Sequence, residues 1–300
     1  MQANPDTYGR VITAMLTPFE PGGQVDLDQA AEIARDLCHR GSRGIMVAGT
    51  TGESPTLSDQ EKLELCAAVR RAVGGKGFVW LGTGSNNTAA SVALTRQAAA
   101  AGAQGVMAVV PYYSRPPQAG LLRHFQAIAA ATDLPLMIYN IPGRTGCNLA
   151  PGTLAELVAT AGNVTAIKEA SRDLEQCSEI RRLLPRPFCL YSGDDSLLLP
   201  TLAVGGDGVV SVASHLVPER IAGLIAAFFA GEHERAAAEH RALQPLISAL
   251  FVTTNPIPLK AAMRLLGHAV GGLRLPLCEA TPAEEGKVAR ALGDLGLLPK

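Results

Sequence analysis

The feature that most limits what this chain can fold into is an alternation. Eight times in succession, a short run rich in Val, Ile, Leu and Ala is followed by a longer stretch with helical spacing. The expected strands are Val11–Leu16, Gly44–Ala48, Phe78–Leu81, Gly105–Val109, Pro135–Tyr139, Val164–Ile167, Phe188–Tyr191 and Gly208–Val212. Their unbroken apolar character is that of strands covered on both faces. The helical stretches are Leu27–Arg40, Asp59–Val73, Ala89–Ala101, Gln118–Ala131, Thr153–Thr160, Leu174–Leu184, Ser196–Val204 and Pro218–Ala230. Strand-then-helix order implies parallel strands joined by right-handed crossovers. Eight such units imply closure. An open doubly wound sheet usually has fewer strands, and its Gly-x-Gly-x-x-Gly fingerprint is absent. The expected fold is α/β, a (β/α)8 TIM barrel with a C-terminal all-helical tail.

The alternation stops near residue 231, so the barrel is assigned to residues 1–231 and a helical region to 232–300. Within the latter, Glu232–Leu250, Pro258–Leu266 and Ala283–Leu292 read as helices that pack on the barrel. Local signals agree with these boundaries. Ser58-Asp59-Gln60-Glu61 is a capping box, and Gly41, Gly74 and Gly102 stand where helices end. The 300 residues suit a barrel of about 250 residues plus this tail. With 47% apolar and 18% charged residues the chain can bury a large core. A net charge of −1 without a basic block points away from nucleic acid. The N-terminus lacks the pattern of a secretion signal, and the most apolar helical run, Ile221–Ala230, is too short to span a bilayer. The expectation is a cytoplasmic protein, not a membrane one. Cysteines 38, 66, 147, 177, 189 and 278 are widely spaced, which suits reduced thiols. The six histidines form no metal-binding pattern, and His215 reads as a packing residue, so no metal is expected.

In a barrel of this kind the chemistry lies at the C-terminal ends of the strands. Lys168 follows the apolar run Val164–Ile167. Held among apolar neighbours, its ammonium would be disfavoured and its amine freed to attack a carbonyl. Taken alone, a lysine at a strand end is more often a surface charge with its stem laid on apolar atoms. Tyr139, ending the neighbouring strand, is either a proton carrier or a core tyrosine. Thr50 and Thr51 lie in the turn Gly49–Ser54, where hydroxyls and backbone N–H groups suit a small carboxylate. Local hydroxyl capping would explain that turn equally well. Arg144, in Pro-Gly-Arg-Thr-Gly, offers a fork for a carboxylate, or is an ordinary loop arginine.

Seven motifs in order decide between these readings. They are Gly49-Thr50-Thr51-Gly52-Glu53-Ser54, Pro111-Tyr112-Tyr113, Tyr139-Asn140-Ile141-Pro142, Gly143-Arg144-Thr145-Gly146, Ile167-Lys168-Glu169-Ala170, Ser192-Gly193-Asp194-Asp195 and Asn255-Pro256-Ile257-Pro258. From about Gly9 onward the chain resembles the dihydrodipicolinate (4-hydroxy-tetrahydrodipicolinate) synthase family, within the pyruvate-dependent aldolases that include N-acetylneuraminate lyase. The resemblance implies that Lys168 forms an imine with pyruvate, and that Tyr139, Thr51 and Tyr113 relay protons. Tyr113 would cross from a neighbouring subunit, in a homotetramer built from dimers. Thr50 and Thr51 would hold the pyruvate carboxylate, Gly193 and Val210 would line the pocket, and Arg144 would bind the carboxylate of L-aspartate 4-semialdehyde. No cofactor is implied, because the lysine supplies the electron sink.

At the family's regulatory site Ser54, Asn86 and Tyr112 fit, but Lys62 stands where lysine-inhibited members commonly carry histidine, and Ala90 where they carry glutamate. Weak or absent inhibition by lysine is therefore expected, since Lys62 repels a ligand ammonium. Two alternatives stay open. One is a sialic acid or keto-sugar-acid lyase of the same superfamily, and the other is a non-catalytic binding protein on this fold.

Overall fold

Each apolar run forms a strand, and the eight strands pair in parallel, in sequence order, into a closed barrel in the computed structural model, which describes residues 4–298. The strands are β1 (Val11–Ala14), β2 (Gly44–Val47), β3 (Phe78–Gly82), β4 (Gly105–Val109), β5 (Leu136–Asn140), β6 (Val164–Glu169), β7 (Cys189–Ser192) and β8 (Gly208–Ser211). The helices begin with α1 (Pro5–Tyr8), α2 (Leu27–His39), α3 (Asp59–Val73), α4 (Thr88–Ala98) and α5 (Gln118–Ala129). They continue with α6 (Pro142–Thr145), α7 (Pro151–Thr160), α8 (Leu174–Leu183), α9 (Leu198–Ala203) and α10 (Pro218–Phe229). After the barrel come α11 (His233–Leu250), α12 (Ile257–Leu265) and α13 (Pro282–Asp294). The reading of residues 1–3 as part of a non-signal N-terminus lies outside the described residues.

Several boundaries differ from the expected ones, for identifiable reasons. Strand β1 ends at Ala14 instead of Leu16, because the Leu16 N–H donates to the His215 ring rather than to a neighbouring strand. Strand β8 stops at Ser211, where the Val212 N–H turns to the Asp195 carboxylate. Strands β5 and β6 run further than expected, so Lys168 lies within β6 and not just past it. Helix α4 starts at Thr88 because the Asn87 side chain caps it by accepting from the Ala90 N–H. The stretch expected as one helix from Ser196 opens as a 3-10 turn, Asp195–Leu197, before α9. The short helices α1 and α6 were not anticipated. The capping box at Ser58 and Glu61 is present, and Gly41, Gly74 and Gly102 all have positive φ.

Side chains on the strands alternate between two cores. Outward residues such as Val47, Leu81, Ile138 and Ile167 pack under the helices, and inward residues such as Ile12, Met46, Trp80, Met137 and Val210 fill the barrel. Tyr8, brought up by α1, plugs the lower end against Phe78 and Trp80, with ring centroids 5.0 and 4.9 Å away. Its hydroxyl donates to Thr165 Oγ1 at 3.1 Å. There the register of β5 and β6 slips: Leu136 faces Val164, but Met137 faces Ala166. Thr165 is thus an extra residue in β6, a bulge that reverses which side its successors face. Val164 points outward, yet Ala166 points into the barrel, as does Lys168. Without the slip, strict alternation from Val164 would turn Lys168 toward the helices.

Candidate active site

The bulge and the β5–β6 register set the centre of the site. Tyr139 and Lys168 are direct partners across the two strands. The Lys168 Nζ lies 4.1 Å from the centroid of the Tyr139 ring. Lys168 is only 5% exposed, so it is not a surface charge. An ammonium over an aromatic face is attracted by the ring quadrupole without losing its amine to a carboxylate. The stem of Lys168 passes Gly193, just beyond β7. A Cβ at that position would sit 3.1 Å from Lys168 Cγ and 2.7 Å from Ala170 Cβ, so only glycine fits unstrained. The Gly193 N–H is itself committed to the Glu169 carbonyl at 2.7 Å. Val210 is buried on the inner face of β8.

The outer face of the same strand pair holds this centre in place. Next to Tyr139, the Asn140 Nδ2 donates to both oxygens of Glu169 at 3.1 and 3.0 Å. Gln176 Nε2 and the Ser171 N–H donate to the same carboxylate at 3.0 and 2.7 Å. Burial raises the Glu169 pKa, and these hydrogen bonds oppose the rise. Just past the neighbouring strand β7, burial likewise raises the pKa of Asp195, against hydrogen bonds from the Ser211 hydroxyl and the Val212 and Ala213 N–H groups. These links fix the ends of β5, β6 and β8, where the functional groups sit.

The turn after β2 is tied to the C-terminal region. Thr51 is 2% exposed, and its Oγ1 accepts from Asn255 Nδ2 at 2.9 Å. Glu53, in a left-handed conformation with φ of 54°, pairs with Lys260 Nζ at 2.7 Å, both side chains wholly buried. The Arg274 N–H donates to the second Glu53 oxygen at 3.0 Å, and its guanidinium pairs with Glu61. The helices after the barrel therefore pack on it directly, as expected.

A cavity of about 330 Å³ opens at this end of the barrel. Thr50, Tyr139, Arg144 and Thr145 line one part, and Ser54, Lys62, Ser85 and Tyr112 another. Lys168, Thr51, Gly193 and Val210 are not on its wall, and Asn86 and Ala90 are exposed outside it. The Lys168 ammonium instead lies against the ring of Tyr139, which is on the wall. Lys62 is 3.5 Å from Asp59. Arg144 is exposed at the rim. Tyr113 is 91% exposed, at a positive φ of 72°.

His215 is buried, as a packing residue should be, and burial pushes its pKa down to about 4. All six cysteines are free thiols, three of them buried. Among the described residues no group of three or more His, Cys, Asp or Glu is placed to hold a metal, and no helix is long and apolar enough to cross a membrane. Reading the sequence missed the roles of Asn255, Lys260, Glu169 and Asp195. Asn255, Glu169 and Asp195 stood inside motifs, but Asn255 meets Thr51 only across 204 residues, Glu169 meets Asn140 across 29 and Asp195 meets Ser211 across 16.

The profile described as the Dihydrodipicolinate synthetase family matches residues 7–295. The 4-hydroxy-tetrahydrodipicolinate synthase of Moorella thermoacetica is 52% identical over 97% of this chain and 99% of that protein. The enzyme of the same name from Thermosynechococcus vestitus is 55% identical over 97% of this chain and 98% of that protein. Among solved structures, DHDPS from Cyanidioschyzon merolae with lysine bound superposes with a TM-score of 0.96 at 49% identity, covering 97% of this chain and 99% of the other.

Proposed function

This chain belongs to the dihydrodipicolinate synthetase family, and on that premise we propose that Lys168 carries pyruvate as a Schiff base through its reaction. The activity is that of 4-hydroxy-tetrahydrodipicolinate synthase, a lyase (EC 4.3.3.7) that condenses pyruvate with L-aspartate 4-semialdehyde, on the path to diaminopimelate and lysine. The observation that carries the proposal is the buried Lys168–Tyr139 pair.

The chemistry follows from that pair. The Lys168 amine adds to the keto carbon of pyruvate, and the carbinolamine loses water to give an iminium. Its positive nitrogen draws electrons from the methyl group, which loses a proton to form an enamine. The enamine carbon attacks the aldehyde, whose oxygen takes up a proton. The amine of the second substrate then closes onto the imine carbon and expels the Lys168 amine. One water leaves overall, and lysine is regenerated. Tyr139 is the group that carries protons between carbinolamine, water and carbon. The relay was expected to run through Tyr139, Thr51 and Tyr113. Thr50 shares the cavity wall with Tyr139, while Thr51 is enclosed against Asn255, so Thr50 is the better relay hydroxyl and Thr51 a carboxylate donor. Gly193 and Val210 flank the pyruvate pocket.

Arg144, exposed at the cavity rim, holds the semialdehyde carboxylate. The exposure of Tyr113 supports its use by a second copy, in a dimer that pairs into a tetramer. The division at residues 231 and 232 and a cytoplasmic location complete the reading. Ser54 and Tyr112, on the cavity wall beside Lys62, and Asn86, exposed outside it, mark the regulatory site, to which Lys62 already supplies an ammonium.

The test measures borohydride trapping with pyruvate, and turnover with both substrates coupled to a reductase, for wild type and Arg144→Ala. Trapping on Lys168 stays intact in the variant, while kcat/KM for the semialdehyde falls about 100-fold or more, the scale of a lost bidentate charge-assisted pair. Trapping without wild-type turnover would redirect the reading to a sugar-acid lyase. No trapping would sink the role of Lys168.

A further inference from the structure

The hydroxyl of Thr51 is one of the most enclosed polar groups in the site, and its partner comes from the far end of the chain. Asn255, 204 residues away, is 5% exposed and donates its Nδ2–H to Thr51 Oγ1 at 2.9 Å. A threonine hydroxyl has one proton to give and two lone pairs to receive. With the amide N–H on one lone pair, the Thr51 proton has no acceptor on Asn255 and must point elsewhere. A bound carboxylate offers acceptors only, so a hydroxyl turned outward as a donor is what it requires.

We propose that Asn255 is a positioning residue that fixes the Thr51 hydroxyl as a proton donor toward the pyruvate carboxylate. This rests on the reading of Thr51 as a carboxylate-binding residue. Two further observations support it. First, the distance between the two residues is set by a rigid anchor. Lys260, five positions after Asn255, forms a wholly buried ion pair with Glu53, two positions after Thr51. The Arg274 N–H holds the other oxygen of the same carboxylate. Second, the Asn255 Oδ1 is buried with no partner among the described residues. An unpaired buried acceptor costs stability, so an amide here is a poor choice for packing alone. The C-terminal region thus supplies part of the pyruvate pocket, beyond packing against the barrel.

The experiment compares Asn255→Ala, Asn255→Asp, Thr51→Val and the Thr51→Val/Asn255→Ala double variant in the full-length enzyme. KM for pyruvate, KM for the semialdehyde, and the pyruvate concentration dependence of borohydride trapping are measured, with thermal melting as the folding control. In Asn255→Ala the hydroxyl rotates freely and KM for pyruvate rises about 10-fold, the scale of one hydrogen bond to a charged group. Asn255→Asp keeps the shape but accepts the Thr51 proton and adds a negative charge, so its KM rises further, about 100-fold. Its excess over wild type shrinks as pH falls and the new carboxyl regains a proton. KM for the semialdehyde stays within about twofold of wild type in both. In the Thr51→Val background, Asn255→Ala adds nothing.

A purely structural asparagine raises KM for both substrates in step with the loss of thermal stability, because a buried Asp charge or an Ala cavity disturbs the whole site. That pattern, or full additivity in the double variant, overturns the proposal. Should Asn255→Asp fail to fold, the Thr51→Val cycle still decides. If Thr51→Val leaves KM for pyruvate unchanged while Lys168 still traps pyruvate, the positioning role falls and the Schiff-base reading stands. Loss of wild-type trapping would instead bring down the Schiff-base reading itself.

Discussion

Replacing Lys260 with methionine should destabilise this protein by about 4 kcal/mol, within the ~3–5 kcal/mol typical of breaking a buried ion pair from one side. Lys260 Nζ lies 2.7 Å from Glu53 Oε1 and donates to the Gly272 carbonyl at 2.6 Å. It also sits 4.2 Å from the Phe19 ring centroid. Neither charged side chain is accessible to water. Burial pushes the Lys260 pKa below its ordinary value, and the Glu53 carboxylate pulls it back up. Methionine keeps most of the stem volume but removes the charge. Glu53 is then a buried carboxylate held by the Arg274 N–H, and the Gly272 carbonyl loses its donor. Against a typical total of ~5–15 kcal/mol this is a large fraction. Pairing the change with Glu53→Gln removes the stranded charge, so the double variant should recover about half of the loss or more. Urea denaturation at one fixed protein concentration measures both, so that wild type and variants are compared under the same conditions. Since Glu53 is two residues from Thr51, Lys260→Met should also raise KM for pyruvate. A single-variant cost below about 1 kcal/mol, or a double variant as unstable as the sum of the singles, would refute the reasoning.

Two further outcomes follow from charges already described. Burial pushes His215 down to about 4, while in the unfolded chain it titrates near 6.5. The unfolded chain therefore takes the proton first, so this contribution is complete above pH 6.5 and is lost as pH falls through 4. The loss is up to about 3 kcal/mol. Urea midpoints between pH 7 and 4 should fall less steeply in His215→Gln, and identical slopes would rule the account out. Millimolar L-lysine should inhibit the wild-type enzyme weakly or not at all, because Lys62 already occupies the cleft with a positive charge. Strong inhibition in a steady-state assay would contradict this.

Much of the fold was legible because it depends on local and repeated signals. The alternation of apolar runs and helical stretches gave the barrel, and the capping box at Ser58 marked the start of α3 where the structure begins it. Strand ends were less legible. Whether Leu16 continues β1 depends on a histidine 199 residues away, and whether β8 continues past Ser211 depends on Asp195. The neighbourhood of the candidate site was also legible, since barrel geometry gathers the strand ends wherever they occur in the sequence. Lys168, Tyr139, Thr50 and Arg144 lie at that end. The distinction between Thr50, on the cavity wall, and Thr51, enclosed against Asn255, was not.

What the sequence determined by itself is the eight strands, the longer helices between and after them and their order, because strand and helix periodicities and caps act over a few residues. What the tertiary structure alone decided is which way the key side chains face. In β6 the run Val164-Thr165-Ala166-Ile167 carries no polar-apolar alternation, because the strand is buried on both faces. Its facing could not be read from pattern. The slip against β5 at Thr165, where Tyr8 donates a hydrogen bond, sets that facing and turns Lys168 into the barrel beside Tyr139. Asn255 and Lys260 likewise gain their partners only when the chain closes on itself, since a hydrogen bond or ion pair across more than 200 residues leaves no local trace.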